Sequence, residues 1–481
     1  MPVAEPPVAE VPLRRAVSRA EPLVWLCSGA VVIALTLLIA VLGLLAVRGL
    51  GHFWPQPLVL LSPAQGGNVA QLGVILDREE DDRGRESLLL YRGVVSVFPS
   101  ALLWLVDDGI AGRSYPADAL AIELRSGGRA FGFADSLGEK DNWRPVSARQ
   151  LAGELAKALA APASSGSGDR ALRLRLASGD RMAIPLAEID RAYAPNAMSL
   201  AQRVGYFLEQ LGSFLAEAPR RGNVQGGVFP AIIGTVTLVV LMTLIVAPLG
   251  VLAAIYLQEY AQHGPITRLV RIAVNNLAGV PSIVYGVFAL GFFVYGLGSS
   301  LDQLFFSDRL PAPTLGAPGL LWASLTMALL TLPVVVVSTE EGLARVPRAL
   351  REGSFALGAT RAETLWRVVL PAASPAVLTG LILAVARATG EVAPLLLVGV
   401  AKYSPGLPVD GEFPYLHLDR QFMHLGFYIY DLGFQSPELA TAEGLVYATA
   451  LLLVVIVLFL NVAAVILRGR LREAFRPDET L

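Results

Sequence analysis

Apolar and polar positions divide the chain into three unlike parts. From Leu23 to Val47 no charged residue occurs, enough helix to cross about 30 Å of hydrocarbon and longer than the apolar core of a cleaved leader. From Gly51 to about Gln225 charged and turn-forming residues are spread throughout, as in a domain facing water. Five more apolar stretches follow, about Val228 to Leu257, Ile272 to Leu297, Leu320 to Ser338, Ala376 to Val400 and Leu445 to Leu467. The six together predict an α-helical polytopic membrane protein. Its expected domains are a disordered tail at 1–22, rich in Pro, Ala and Glu, a first span at 23–50, an inserted β-rich domain at 51–225 and a helical core at 226–481.

Inside the polar part the period changes to two. Leu120, Ile122 and Leu124 precede Ser126-Gly127 and Arg129; Leu172, Leu174 and Leu176 precede Ser178-Gly179 and Arg181. Alternating leucines before a Gly-containing turn predict a β-hairpin. Placing Leu120 on Leu172 aligns both turns, so the hairpin is read as duplicated, with the stretch from Ala161 to Gly168 as a flexible linker. Leu200 to Leu215 reads as a helix returning to the membrane. No paired carboxylates, His/Cys cluster or nucleophile motif stands out here, which favours a structural or protein-contact module over an enzyme.

The longest polar interruption of the apolar half is the loop 339–371. Ser338 with Glu341, and Thr360 with Glu363, have the spacing of capping boxes; Pro347 suits a first helical turn, Gly358 a helix end, and Pro371 a stop. Two short helices meeting at Gly358 are expected. Arg345, Arg348, Arg351, Arg361 and Arg367 lie in this loop. With Arg14, Arg15, Arg19, Arg268, Arg271, Arg468, Arg470, Arg472 and Arg476 they would share one side, against Arg309, Lys402 and Arg420 on the other. The positive-inside bias then puts both termini and the loop in the cytoplasm and residues 51–225 outside, in the periplasm if the host is a Gram-negative bacterium.

Composition narrows the class. With 481 residues, 54% hydrophobic and 16% charged, the chain is too apolar for an ordinary soluble protein. A net charge of −2 gives no field for nucleic acid. One cysteine, Cys27, excludes an internal disulfide and a Cys-based metal or redox motif. His52, His263, His417 and His424 are scattered; His417 and His424 with Asp419 hint at a metal but read better as polar loop histidines. No catalytic residue and no metal ligand is assigned.

Two charges interrupt the fifth apolar stretch. Arg387 and Glu391 lie four residues apart on one expected helical face, in AVARATGEVAPLL. Burying such groups costs about 2.5 to 3.5 kcal/mol on insertion scales, so both should face protein or a water-filled pathway. They could simply pin helices together, but intramembrane ionisable groups mark transport routes, and a guanidinium on such a route matches an oxyanion. Gly390 and Pro394 would loosen the helix for a moving gate.

Several stretches resemble a known family. Glu352, Gly353 and Ser354, then Gly358 six residues after the glutamate, then Val368, Leu370 and Pro371, resemble the coupling loop of ABC-importer permeases, with Gly353, Ser354 and Val368 replacing Ala, Ala and Ile. NLAGVPSIVYG from Asn276, ARATGEVAPLL, GGVFPAIIGT from Gly226 and PLGVLAAIYLQEY from Pro248 resemble the PstA-type phosphate permeases across most of residues 226 to 470. Gln258 stands where that family often has an acidic residue, and the long domain before the second span resembles only the extended region of larger members. The resemblance implies the type I importer permease fold and import of inorganic phosphate across the bacterial cytoplasmic membrane. It assigns Glu352, Gly353, Ser354, Gly358, Leu370 and Pro371 to ATPase coupling.

Energy has to come from elsewhere. A phosphate-binding loop needs Gly-Lys-Ser/Thr, and none of Lys140, Lys157 and Lys402 follows a glycine. Moving an anion against a negative-inside potential costs about 2.3 kcal/mol per charge per 100 mV. The resemblance implies a PstB-like ATPase dimer carrying ATP and Mg2+, a PstC-like second permease, a PstS-like phosphate-binding protein outside and membrane lipid as partners, with no cofactor in this chain. A permease for another oxyanion, a membrane-anchored sensory or scaffold protein and an ion-coupled secondary carrier are the competing readings. Six spans exceed the needs of an anchor, and the coupling-loop pattern with no detected inverted repeat disfavours a carrier.

Overall fold

A computed structural model of the chain describes residues 13–63, 70–80, 85–93, 100–106, 109–139, 142–146, 170–220, 222–262, 264–404, 406–436 and 439–474, with no side-chain detail for 13–23, 139, 142, 439, 467 or 471–474. The expected linker from Ala161 to Gly168, His263, Arg476 and the first twelve residues lie outside that set.

Among the described residues, six helices are long and apolar enough to cross a membrane: Val24–Gly51, Phe229–Tyr260, Ser282–Phe305, Leu320–Ala344, Arg361–Gly390 and Ala440–Arg470. All six expected stretches are among them, with the main boundary shifts in the first, third, fourth and fifth. The first helix starts at Leu13, inside the expected disordered tail; Leu, Ala and Arg are strong helix formers, and extending an existing helix is cheap. The expected third span is split. An amphipathic helix Pro265–Leu277 ends before Pro281, which supplies no amide, and the crossing helix begins at Ser282. The fourth span runs on through Ala344, so the expected Ser338–Glu341 capping box does not form. Ser338 is inside the helix, and its side chain packs against Gly380 of the fifth span, leaving no room there for a methyl.

The fifth span departs at both ends. It passes through Pro371, which occupies the first turn of Leu370–Gly390 and so breaks no hydrogen bond it needs. A π-helical turn, Leu365–Val369, absorbs the join. At the other end it stops at Gly390 rather than near Val400: Glu391 has extended backbone and Pro394 opens a separate turn, Leu395–Val398. The core between the second, fourth and fifth spans is apolar and tightly closed, with Leu238, Met242, Val246, Met327, Val335 and Ala384 all buried.

The polar part is antiparallel β-structure. One sheet has the order β4-β3-β2-β1-β5, from β1 (Val59–Pro63), β2 (Gln71–Glu80), β3 (Glu86–Tyr91), β4 (Leu102–Val106) and β5 (Ile110–Ser114). The other has the order β10-β9-β7-β6-β11, from β6 (Ala119–Leu124), β7 (Arg129–Glu139), β9 (Arg170–Arg175), β10 (Arg181–Pro185) and β11 (Ile189–Tyr193), with β8 (Asn142–Pro145) against β7. The repeated hairpins are β6/β7 and β9/β10. They share one register: Leu120 faces Gly132 and Ile122 faces Ala130, while Leu172 faces Ile184 and Leu174 faces Met182. Gly127 and Gly179 both take the positive φ their turns require. The hairpins pair with each other through β7 and β9, and Leu120, Ile122, Leu172 and Leu174 meet in one core. The return helix forms at Leu200–Ala216, capped by Ser199 and Gln202.

Candidate functional site

Two places gather the residues singled out by sequence, one at each end of the helical core. At the end away from the sheets, the loop folds into an elbow of two helical arms. Arg348–Ala356 starts at Pro347 and ends at Gly358, which has φ +87°. The amides of Gly358 and Ala359 return to the carbonyls of Phe355 (2.9 Å) and Ser354 (3.2 Å), the paired bonds of a glycine-terminated helix. The second arm begins with the expected capping box: Glu363 N donates to Thr360 Oγ1 (3.3 Å) and Thr360 N to Glu363 Oε2 (2.9 Å). The Ser354 and Thr364 hydroxyls, 2.9 Å apart, brace the arms. Under them Ile255, Leu343, Val346, Leu365 and Val369 form an apolar cushion drawn from three spans.

Sequence reasoning missed the contact that ties this elbow to the rest. Arg351 Nη1 donates to both carboxylate oxygens of Glu259, at 2.7 and 2.8 Å, and its Nη2 donates to the Leu343 carbonyl at 2.8 Å. Glu259 lies in a π-helical turn, Tyr256–Tyr260, at the end of the second span. A carboxylate ending an apolar helix called for a cation, and the loop held five candidates; sequence could not choose among them. The remaining surface is open. Glu352 and Gly353 are exposed, no atom lies where side chains at Gly353 or Gly358 would project, and Leu357 is 90% exposed. Leu370 and Pro371 are not on that face; half-buried, they start the membrane part of the fifth span.

The other site surrounds the end of that span. Arg387 Nε lies 3.5 Å from Glu391 Oε1, and both side chains keep partial access to solvent space, 33% and 24%. The pairing is not the expected pairing along a helix, because Glu391 sits just past the last turn. Motifs far apart in sequence converge here. Gly286, from NLAGVPSIVYG, abuts Pro394, where an added Cβ would come within 2.8 Å of Pro394 Cα. Gly234, from GGVFPAIIGT, abuts the Met423 backbone carbonyl with no space for a methyl. Next to it Thr235 Oγ1 accepts the Leu425 amide at 2.9 Å. In sequence these glycines are only part of a pattern; their role as contact points comes from the tertiary structure.

Beyond this lies a buried polar knot. Asp431, 1% exposed, accepts from Lys402 Nζ (2.8 Å) and from Asn223 Nδ2 (3.0 Å), while Tyr428 donates to the Asn223 carbonyl (2.7 Å). Asn223 takes φ +71° in the turn leaving the β-rich part. His417 and Arg420 both bind Asp410, whose carboxyl is held below its ordinary range first by the Arg420 hydrogen bond. His424 Nδ1 accepts from the Gly426 amide, and burial holds its imidazole down at about 4. His417 and His424 thus serve loop structure, and no group of metal-ligating side chains occurs among the described residues.

A cavity of about 220 Å³ separates the sheets from the helical core, lined among others by His52, Glu123, Arg129 and Tyr206. Its charges are matched: Glu123 receives Tyr206 (3.0 Å), Gln210 (3.0 Å) and Arg129 (3.3 Å). Burial, then the Arg129 charge, lowers His52 to about 4.

Comparison with known proteins bears on the helical core. Residues 246–473 match the family described as binding-protein-dependent transport system inner membrane component. Phosphate transport system permease protein PstA 1 of Mycobacterium tuberculosis is 34% identical over 267 residues, 55% of this chain and 77% of its own length. The PstA proteins of Yersinia pestis (31%, 53% of this chain and 76% of that one) and Haemophilus influenzae (32%, 50% and 75%) are similar as well. A chain of a bacterial ABC transporter importing alginate aligns at 18% identity with a TM-score of 0.37, covering 50% of this chain and 78% of its own, too loosely to bear on the fold.

Proposed function

Because this chain belongs to the PstA-type phosphate permeases among the binding-protein-dependent inner membrane components, we propose that it is the membrane subunit of an ATP-driven importer of inorganic phosphate. The observation that carries the mechanism is the pairing of an open elbow with an ionic pair at the far end of the same span. The fifth span runs unbroken from Arg361 to Gly390. Anything that shifts the elbow therefore shifts the ground on which Arg387 stands.

In this reading a PstB-like ATPase dimer docks on the exposed face around Glu352, Gly353 and Gly358, with Leu357 as its apolar anchor, and Ser354 braces that face from behind. Leu370 and Pro371 transmit its movement at the root of the span. Arg387 offers an oxyanion two or more hydrogen bonds, and Glu391 holds the guanidinium when the route is empty, so passage exchanges one partner for another at small net cost. The break from Glu391 to Pro394 lets the end of the span rotate. A PstC-like permease completes the route, and a PstS-like protein delivers phosphate on the side of the sheets. The orientation follows the arginine count: both termini and the elbow in the cytoplasm, residues 51–225 outside. ATP and Mg2+ belong to the ATPase.

The test is uptake by the complete transporter in vesicles. Arg387→Gln is expected to lower phosphate uptake by about a hundredfold while the complex still assembles, the loss of a charge-assisted anion contact in a low-dielectric site. Normal uptake by that variant overturns the assignment.

A further inference from the structure

Resting on the reading that the elbow receives an ATPase, we propose that Arg351 is the positioning residue through which motion of the elbow reaches the second span. The elbow is covalently continuous with the fourth span through Val346 and with the fifth through Ala359, so both follow it directly. The second span has no such route: Glu259 is 92 positions away in sequence. Movement must cross to it through non-covalent contacts: it packs along the fourth span, Arg271 links its Leu257 and Gln258 to Glu340, and two further contacts tie it to the elbow itself. One is the apolar cushion of Ile255, Leu343, Val346, Leu365 and Val369. Apolar contacts are non-directional, so such a surface resists compression and permits sliding.

The other is the guanidinium of Arg351. One nitrogen holds both oxygens of Glu259 and the other holds the Leu343 carbonyl, so a single planar group joins the elbow to the inner ends of two spans. Charge-assisted bonds of this length are directional and strong, and the side chains are only 23% and 20% exposed, which limits screening. The part of the second span that is held is its π-helical turn, the kind of interruption at which helices bend. A pull on the elbow is then converted into bending of the second span, which packs along the fourth and fifth spans as far as Leu238. Lysine at 351 could keep the charge but not the two-way fork.

The experiment measures ATP hydrolysis and phosphate uptake in the same proteoliposomes, made from this chain with its permease and ATPase partners. Arg351→Gln and Glu259→Gln are each expected to keep assembly and hydrolysis within about twofold, while phosphate moved per ATP falls about tenfold; the double variant falls no further than the worse single one, as for two residues acting as a unit. Arg351→Lys recovers part of the loss. Unchanged phosphate per ATP in the single variants, multiplicative losses in the double variant, or loss of assembly in step with uptake would each overturn the proposal. If instead the wild-type assembly captures no ATPase or moves no phosphate, it is the reading of the elbow that fails.

Discussion

The two ends of the helical core are built on opposite plans. At the elbow, backbone turns are closed by local caps, glycines face empty space and large apolar side chains stand exposed. At the end beside the sheets, glycines touch backbone, and the buried Asp431 carboxylate binds the Lys402 ammonium and the Asn223 amide, whose backbone carbonyl takes the Tyr428 hydroxyl. Caps and turns hold the elbow by contacts within a few residues and leave its outer face open, whereas the knot joins residues some 200 positions apart. The difference teaches that one end is shaped locally and the other by the tertiary fold.

Substitutions at matched residues sharpen or break that contrast. The largest effect is expected at Gly234, where Gly234→Ala drives a methyl into the Met423 carbonyl; about 3 kcal/mol of stability should be lost, seen as a fall in the thermal midpoint in detergent. Asp431→Ala strands Lys402 and Asn223, and about 2 kcal/mol should go with it by the same measurement. Gly353→Ala should do the reverse: nothing lies near its added methyl, so the isolated chain gains about 0.5 to 1 kcal/mol, with capture of the ATPase in a pull-down unchanged. Leu357→Asp, at an exposed apolar side chain, leaves the midpoint unchanged and weakens that capture. An unchanged midpoint for Gly234→Ala, or unimpaired capture by Leu357→Asp, would erase the distinction.

How much of this was legible in the sequence follows the range of the interactions involved. The Thr360–Glu363 box, the Gly358 terminus and both hairpins rest on residues within a few positions of one another, and all were read correctly. The Ser338–Glu341 pattern had the same spacing and failed, because packing of the fourth span against Gly380 extends the helix through it. Pro371 misled for a related reason: as a first-turn residue it starts a helix as readily as it ends one. Arg387 and Glu391 were found because charge inside an apolar run is visible locally. Asp431 lies in a mixed segment where a carboxylate is unremarkable, and its partner Asn223 is 208 positions away. Nothing in composition joins those two residues.

The matched hairpins bear on how the sheet ends. Both use one register, and they lie edge to edge, so a single pairing rule builds the row. Strand β10 ends that row with Arg181 and Pro185, residues that discourage further pairing. The outer edge of the row is therefore blunted, and addition of a further strand from another molecule is disfavoured there.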